Sequence, residues 1–261
     1  MRALNIAATG MLAQQLNVEV ISNNIANLNT TAFKRQRAEF QDLLYQDQRP
    51  VGAQSSDNGN LVPVGVQVGS GVKAAAVYRI TQQGTLLNTN NPLDLAIQGR
   101  GYFQVQMPDG TTAYTRSGSL QLSATAEIVT ADGFIVDPGI TLPNNTVAVT
   151  VNASGQVLAQ IAGQTTPQTV GQFQLAAFPN EGGLEQLGSN LLRETPASGS
   201  PTTGNPGSTG FGQLQQGFLE TSNVNVVSEI TNLITAQRAY EMNSKVIQTV
   251  DSMSQTLTQM H

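Results

Sequence analysis

The two ends of the chain share one pattern, an apolar residue at almost every seventh position. Two such series interleave near the amino terminus, the first being Leu4, Met11, Val18 and Ile25, and the second Ala7, Gln14, Ile21 and Leu28. Interleaved heptad series alternate spacings of three and four, the period of a helix that buries one stripe against another helix. The pattern therefore predicts a helix from residue 3 to about residue 29, with an apolar face that needs a partner.

The carboxyl-terminal segment repeats this pattern. One series comprises Val226, Leu233, Tyr240 and Ile247, and the stripe is widened by Ile230, Ile234, Val246, Val250, Met253 and Leu257. Neither Pro nor Gly occurs after Gly217. A single helix of about 30 residues is predicted between residues 225 and 259, because nothing in this segment interrupts the period.

The chain is poor in charge. Of its 261 residues only 11 % are charged and 39 % are hydrophobic, against roughly 25 % and 45–50 % in ordinary globular domains. A surface with so few charges is typical of a protein that ends up packed against other protein. The net charge of −5 argues against a nucleic-acid partner, which requires a basic face.

Several other classes are excluded by composition. The chain has no cysteine, so thiol catalysis, disulfides and thiolate metal sites are ruled out. No stretch approaches the roughly 20 apolar residues of a membrane span, and no membrane insertion is predicted. The amino terminus also lacks the continuous apolar region of a cleaved signal peptide. If the protein is exported, it leaves by another route.

The middle of the chain reads as β-structure. Alternating apolar residues occur at Leu93, Leu95 and Ile97, at Val147, Val149 and Val151, and at Phe173, Leu175 and Ala177. Turn sequences rich in Gly, Pro, Asp and Asn separate these runs. The predicted fold class is α+β, with an antiparallel β-rich central domain flanked by amino- and carboxyl-terminal helices.

Two segments rich in Gly, Pro and polar residues flank this domain, at 46–63 and at 196–212, and the second is predicted to be a flexible linker. The predicted organisation is a helix at 1–30, an extended region at 31–69 that includes 46–63, a β-rich domain at 70–195, a returning linker at 196–224 and a helix at 225–261. The two helices either meet within one chain or pair with helices of other copies.

Candidate catalytic groups are scarce. His261 is the only histidine and the last residue, a position that is most often a frayed end. A triad needs a His positioned inside a site, and a histidine-rich metal site needs more than one. Asp109, Asp132 and Asp137 sit beside Gly or Pro in turns. A strand sequence follows Gly99-Arg100-Gly101, and a phosphate loop would need a helix there. We predict no catalytic residue, cofactor or metal, and no enzymatic activity.

The basic residues Lys34, Arg35 and Arg37 are open to two interpretations. They could dock an acidic neighbour, or they could form a solvated helix face that Glu39 and Asp42 balance. We favour the second interpretation.

Two segments at opposite ends of the chain carry distinctive motifs, the first from Ile21 to Arg35 and the second from Phe218 to Lys245. Both segments resemble the signatures of bacterial flagellar rod and hook proteins. The matching signature residues are Asn23, Asn24, Ala26, Asn27, Thr30, Phe33 and Lys34, then Ser222, Asn223, Val224, Asn225, Gln237, Arg238, Ala239 and Tyr240. Ala32 stands where the family usually has Gly, which bears on the turn after the first helix.

Within this family the chain resembles the distal rod branch over essentially its whole length. The distinguishing residues are Pro50, Gly52, Ala53, Gln54, Ser55 and Ser56. In the family, distal rod proteins carry this stretch and hook proteins lack it, and it is associated with a straight, rigid rod. A proximal rod or hook subunit is the alternative within the family. A secreted β-rich adhesin or other cell-wall-associated protein is the alternative outside it.

The resemblance implies a structural subunit that polymerises helically in the periplasm, without a cleaved signal peptide. Its terminal helices would form an inner core around the protein export channel, and its β-rich domain an outer wall. The implied partners are other copies of the chain, proximal rod proteins, the hook protein, the P-ring and L-ring bushing, the flagellar type III export apparatus and the rod cap. We expect assembly contacts from Leu4, Met11, Val18, Ile21, Ile25 and Leu28, and from Val226, Ile230, Leu233, Tyr240, Ile247, Val250 and Leu257.

Overall fold

The computed structural model describes residues 2–50, 64–164 and 166–259, and the side chains of the last helix as far as residue 256. The chain divides into two compact units, neither of them continuous in sequence. Unit 1 contains Met1–Ala26, Gln36–Tyr78 and Asn225–His261, and unit 2 contains Asn27–Arg35 and Arg79–Val224. Each unit therefore collects segments that lie far apart along the chain.

Unit 1 is built around the two predicted helices, which the structure confirms as α1 (Arg2–Ala26) and α2 (Val226–Gln259). The first helix ends at Ala26, so Leu28 lies beyond it and not on its stripe. The reason is local hydrogen bonding: the Asn27 carbonyl accepts from Thr30 N at 3.3 Å, and Thr30 Oγ1 lies 3.1 Å from Asn27 Oδ1. Such side-chain bonds favour a turn over helix continuation.

Among the described residues of unit 1 there are also four strands: β1 (Gln36–Asp42), β2 (Tyr45–Arg49), β3 (Val66–Gly69) and β4 (Val72–Arg79). Strand β1 pairs with β4, and β2 pairs with β3 in antiparallel register. Between the pairs, Leu43 N donates to Gly71 O at 2.8 Å and Ser70 N to Leu44 O at 3.2 Å. The start of the predicted 46–63 segment is thus a strand, whereas residues 51–63 lie outside the described residues.

Unit 2 contains the remaining strands and a short 3-10 helix at Glu181–Gly183. In chain order the strands are β5 (Leu86–Asn88), β6 (Leu95–Gln98), β7 (Tyr102–Gln106), β8 (Thr112–Thr115), β9 (Leu120–Leu122), β10 (Ile128–Thr130), β11 (Ile135–Val136), β12 (Thr146–Val151), β13 (Gln156–Ile161), β14 (Gln168–Gln172), β15 (Leu175–Ala177), β16 (Glu185–Gly188), β17 (Leu191–Arg193), β18 (Thr202–Gly204), β19 (Gln213–Gln216) and β20 (Phe218–Glu220).

These strands form one large sheet and three small ones. The large sheet follows the order β16-β17-β8-β7-β11-β10-β9, and β15 joins both β7 and β18 to it. Strands β12, β13 and β14 form a three-stranded sheet, while β19 pairs with β6 and β20 with β5. All of these strand pairs are antiparallel. Together with the terminal helices, they confirm the predicted α+β class.

The core of unit 2 lies between its sheets. Its main cluster includes Phe103, Phe173, Val157, Leu175 and Ile97, each completely or almost completely buried. The strand predicted from Leu95 and Ile97 is present as β6, and the intervening Ala96 is also buried, so both faces of β6 are covered.

The segment predicted as a flexible linker, 196–212, is instead part of unit 2. Its residues Thr202–Gly204 form β18 and pair with β15. Farther on, Gly207 N donates to Gly212 O at 2.9 Å, and Phe211 packs against the main core cluster. The composition resembled a linker, but one aromatic anchor and a strand pairing fix the segment in place.

Candidate assembly site

The two terminal helices pack against each other within unit 1. Asn24 in α1 contacts Glu229 in α2, and Gly10 in α1 approaches Asn243 in α2. Residue numbers rise along one helix as they fall along the other, so the pair is antiparallel. Of the two arrangements left open by the sequence, the structure shows the one in which both helices meet inside one chain.

The seam of α2 follows a strict alternation of three and four residues. Its members are buried or half-buried apart from Tyr240, which is exposed: Val226, Glu229, Leu233, Ala236, Tyr240, Asn243, Ile247 and Val250. Four of the predicted assembly residues, Val226, Leu233, Ile247 and Val250, are thus half-buried on the chain's own seam. The side chain of Leu257 lies outside the described part of α2.

Other apolar residues of α2 remain in solvent. Ile230 is 45 % exposed and Ile234 is 47 % exposed, and they lie one turn apart on one face. Val227, Met242, Val246 and Met253 are also exposed. These side chains lie off the seam between α1 and α2 and do not contribute to the packing of the helix pair. In contrast, the predicted residues of α1 are half-buried, at Leu4, Met11, Val18 and Ile25, or buried, at Ile21.

Asn24 makes three hydrogen bonds inside unit 1. Its Nδ2 donates to Gln36 O at 2.8 Å and to Glu229 Oε2 at 3.1 Å, and its Oδ1 accepts from Gln36 N at 2.8 Å. The side chain is almost fully buried. This signature residue therefore ties the end of α1 to the start of β1 and to the first turns of α2.

Asn225 begins α2 as its N-cap. Its Oδ1 accepts from Ser228 N at 3.1 Å, and its carbonyl accepts from Glu229 N at 3.0 Å. An N-cap asparagine satisfies amide groups that have no partner within the helix. The other signature residues of α2 differ, since Gln237, Arg238 and Tyr240 are exposed and Ala239 is half-buried. At the other end, Asn23 and Ala26 are exposed positions on α1.

In unit 2, Lys34 belongs to a buried ion cluster. Its Nζ contacts Glu220 Oε1 and donates to Gln82 O at 3.0 Å. Arg116 Nε donates to Glu220 Oε2 at 2.7 Å, and Gly84 N donates to Glu220 Oε1 at 2.9 Å. The expectation of a solvated helix face at residues 34–37 was therefore wrong. Lys34 is buried, and β1 rather than a helix begins at Gln36.

The charged groups of this cluster shift one another's pKa values. Burial opposes ionisation of Glu220, but Arg116 and Lys34 outweigh it and hold the pKa of the Glu220 carboxyl below its ordinary value. Burial lowers the pKa of the Lys34 ammonium, and the hydrogen bond to Glu220 opposes that effect. A carboxylate held by two cations and a backbone amide is an ionised structural anchor, not a proton donor.

The two signatures also meet along their backbones in unit 2. Ala32 N donates to Glu220 O at 2.8 Å, and Asn223 N donates to Phe33 O at 3.4 Å. Asn223 Oδ1 accepts from Arg35 N at 2.7 Å, and its Nδ2 donates to the carbonyls of Ile80 and Gln82, each at 2.9 Å. Segments almost two hundred positions apart thus form one hydrogen-bonded patch.

Ala32 occupies a left-handed conformation, with φ of 58°. This is the region that glycine adopts without strain and other residues rarely visit. Ala32 is buried, and its amide serves the Glu220 carbonyl. The turn therefore has a geometry that suits glycine, although this sequence carries Ala there.

The structure describes only some of the residues for which the sequence suggested a mechanical or chemical role. Pro50 is exposed, and Gly52, Ala53, Gln54, Ser55 and Ser56 lie outside the described residues, as does His261. Asp109 caps its own turn by accepting from Thr111 N at 2.9 Å. In the described part of the chain, no group of three or more His, Asp or Glu side chains could hold a metal ion. Neither described helix is long and apolar enough to cross a membrane.

Sequence reasoning missed Glu220, Arg116, Gln36 and Glu229, the partners of the signature side chains. Glu229 left a readable signal: it stands between Val226 and Leu233, where the heptad calls for an apolar residue. A polar residue on a helix seam often fixes register. The role of Gln36 could not be read from sequence, because Asn24 binds its backbone and not its side chain.

Comparisons with known proteins agree with these signatures. Residues 4–34 match the family described as "Flagella basal body rod protein", residues 96–159 match the "Flagellar hook protein FlgE/F/G D1 domain", and residues 215–260 match the "Flagellar basal body rod FlgEFG protein C-terminal". The two terminal matches take in α1 and α2, and the third begins in β6. The class is that of flagellar rod and hook proteins.

Full-length relatives narrow this class. The chain is 62 % identical to the flagellar basal-body rod protein FlgG of Caulobacter vibrioides, over 100 % of this chain and 99 % of the relative. It is 52 % identical to FlgG of Agrobacterium fabrum over 97 % of each chain, and 38 % identical to FlgG of Bacillus subtilis over 98 % of each. The chain belongs to the FlgG family of flagellar basal-body rod proteins and is a structural subunit of the flagellar rod.

Proposed function

We propose that this chain builds the distal part of the rod, and that α2 supplies the main contact between copies. The observation that carries the proposal is the exposed apolar face of α2, which includes Ile230 and Ile234. The seam of this helix is already occupied by α1, so its remaining apolar residues are available to a second copy. Burying one such side chain contributes roughly 1.5–3 kcal/mol.

The assembly residues inferred from sequence divide into two groups under this proposal. Leu233, Ile247 and Val250 build the helix pair inside each subunit. Ile230 and Tyr240 join Ile234, Val246 and other exposed residues as contacts between subunits. The α1 residues Leu4, Met11, Val18, Ile21 and Ile25 act mainly by holding α1 in its unit.

A polymer of this kind needs contacts that do not close on themselves. Head-to-tail contacts between unlike surfaces generate open helical assemblies. The low charge of the chain suits a subunit that is surrounded by its own copies. In the assembled rod, the helices at 1–30 and 225–261 would form the inner core around the export channel, and the 70–195 domain the outer wall.

Torque transmission is assigned to the ribbon formed by β1 to β4 and to the stretch that follows Pro50. Every residue of β2 is exposed, and a two-stranded ribbon is marginally stable alone. Leu44 and Tyr45 present apolar surface there. Contacts of this ribbon with neighbouring copies would oppose sliding and keep the shaft straight.

The remaining partners follow from a position in the distal rod. Proximal rod proteins would adjoin it on one side and the hook protein on the other, with the P-ring and L-ring around it. The chain would reach the periplasm through the flagellar export apparatus and assemble beneath the rod cap. The uncharged polar face of α1 would meet the channel or a polar neighbour. No catalytic step is involved, and a muramidase assay should be negative.

The decisive experiment places a charge on the exposed face of α2. Ile234→Asp should leave the monomer folded, because the side chain is half in solvent, and should abolish rods and swimming. Asn232→Asp on the same helix is the matched control, because Asn232 is also exposed. Leu233→Asp is less informative, since it would also disrupt the pairing with α1. Normal rods in the Ile234→Asp strain, seen by electron microscopy of basal bodies, would refute the proposal.

A second experiment tests the mechanical role. Deletion of residues 50–56 should yield curved or overlong rods, because the ribbon would lose its contacts with neighbouring copies. Straight rods of normal length would refute this part while leaving the role of α2 intact.

A further inference from the structure

The geometry at Asn24 points to a function of this signature residue beyond polymerisation itself. We propose that Asn24 is a register lock, which allows the antiparallel helices α1 and α2 to close in one alignment only. The inference depends on the proposed function solely in its consequence, the choice of apolar residues that α2 offers to a neighbouring copy.

The lock begins with the way Asn24 binds the backbone of Gln36. Its Oδ1 accepts the Gln36 amide and its Nδ2 donates to the Gln36 carbonyl, both at 2.8 Å. A carboxamide that bonds both groups of one residue reproduces the pairing of a neighbouring strand. The end of α1 is thereby held beside the start of β1 at a single residue.

The second Nδ2 proton of Asn24 is directed at α2, where it meets Glu229 Oε2 at 3.1 Å. Asn24 and Glu229 are each only 1 % exposed. A carboxylate at that depth is costly unless donors surround it. Pulling α2 out of register would therefore remove the Asn24 donor from the buried carboxyl group of Glu229, and that penalty disfavours the shifted alignment.

A second contact between α1 and α2, at Gly10 and Asn243, is consistent with the same register. A Cβ atom added to Gly10 would lie 2.9 Å from Asn243 Nδ2, so the helices approach closely at this point. Gly10 precedes Asn24 by two heptads, and Asn243 follows Glu229 by the same interval. Both contacts therefore belong to one register, in which Asn17 falls opposite Ala236.

If α2 were shifted by one heptad relative to α1, at most one of these contacts could form. Asn24 would then face Ala236, which has no polar side chain, and Gly10 would face the larger Val250. Asn17 could meet Glu229 after a shift in the other direction, but it could not reach Gln36 as well. Only Asn24 combines the backbone bonds with the carboxylate bond, and only in the observed register.

Amide chemistry at this position is specific. Asp would keep an acceptor for Gln36 N but lose both donors, and it would set a second carboxylate against Glu229. Ala would leave the Gln36 backbone and the Glu229 carboxylate without these bonds. The double variant Asn24→Asp/Glu229→Gln restores a donor and an acceptor between the helices with their roles exchanged.

Because the chain has no native cysteine, register can be measured by disulfide cross-linking in the purified full-length monomer. The pair Asn17→Cys/Ala236→Cys reports the observed register, and the pair Asn17→Cys/Asn243→Cys reports a shift of one heptad. With Asn24 intact, only the first pair should cross-link. Asn24→Ala should reduce that product several-fold and raise the shifted product. The exposed Asn5→Asp change serves as the control and should alter neither.

Cross-linking that is unchanged by Asn24→Ala would overturn the proposal. If Asn24→Ala instead abolishes both products, the double variant decides the matter. Recovery of the first product in Asn24→Asp/Glu229→Gln relative to Asn24→Asp supports the lock, and failure to recover refutes it. The measurement is made on monomers, so it is independent of the rod phenotype of Ile234→Asp.

Discussion

Units 1 and 2 differ in the size of the apolar side chains that they bury. The core of unit 2 is built from large side chains, with Phe103 and Phe173 fully buried between its sheets. Unit 1 buries mainly small residues such as Ala7, Ala13 and Ala236, while large side chains of α2 stay in solvent. The core of unit 2 is thus formed by large side chains of one chain, whereas unit 1 leaves large apolar side chains of α2 uncovered, which is the surface that the proposed polymer would bury.

The strongest test of the comparison removes an aromatic side chain from the core of unit 2. Phe173→Ala should lower the free energy of unfolding by about 3–5 kcal/mol, because the cavity lies where nothing can collapse into it. Urea denaturation followed by circular dichroism measures this loss. Val147→Ala, at an exposed site of β12, should stay within about 0.5 kcal/mol of the parent. Equal losses for both variants would contradict the assignment of the core.

The ion cluster of unit 2 should respond almost as strongly. Glu220→Gln leaves Lys34 and Arg116 buried with less compensation, and it should cost about 3–5 kcal/mol. The matched control is Glu185→Gln, since Glu185 pairs with Arg193 in solvent. That control should cost less than about 1 kcal/mol. A loss for Glu220→Gln no larger than the control would show that the cluster does not anchor the signature segments.

The same cluster predicts a dependence on pH. The folded pKa of Glu220 is lower than its ordinary value of 4.5, so its contribution is complete above that pH. The contribution is lost as the pH falls from there through the folded pKa, because folding then has to compete with protonation of the unfolded chain. Denaturation series at several acid pH values give the free energy of unfolding as a function of pH. This free energy should fall less steeply with decreasing pH in Glu220→Gln than in the parent. Identical slopes would contradict the assignment.

A smaller effect, of opposite sign, is expected at the turn within the first signature. Ala32→Gly should stabilise the protein by about 0.5–1 kcal/mol, because glycine relieves the left-handed strain at some cost in chain entropy. Ala8→Gly inside α1 should instead destabilise by about 1 kcal/mol. Thermal unfolding of both variants measures the two signs. Destabilisation by Ala32→Gly would mean that the strain is negligible.

The last prediction addresses unit 1 by hydrogen exchange. The amides of α2 should exchange faster in the monomer than in the assembled rod, because one face of the helix has no cover before assembly. The core strands of unit 2, such as β7, should be protected in both states. Equal protection of α2 in monomer and rod would break the comparison, because the helix would then gain nothing from assembly.

Much of the difference between the helical unit 1 and the β-rich unit 2 could be predicted from the sequence. The heptads predicted both helices because a period of seven requires a helical partner, and the absence of Pro and Gly after Gly217 predicted that α2 is continuous. Alternation and turn residues predicted the β-rich middle. The ordered segment around Phe211 was missed, because its Gly, Ser and Thr content is the same in a linker as in a packed loop.

The signature residues were found by resemblance, but their roles depend on contacts that only the folded chain creates. The sequence by itself determined the periods, the low proportion of charged residues and the family. Tertiary structure decided that the helices pair within one subunit, that Lys34 is buried against Glu220, and that Asn24 joins Gln36 to Glu229. The physical reason is that a repeat records which face of an element is buried, whereas the partner that buries it lies at a distance along the chain that no local pattern encodes.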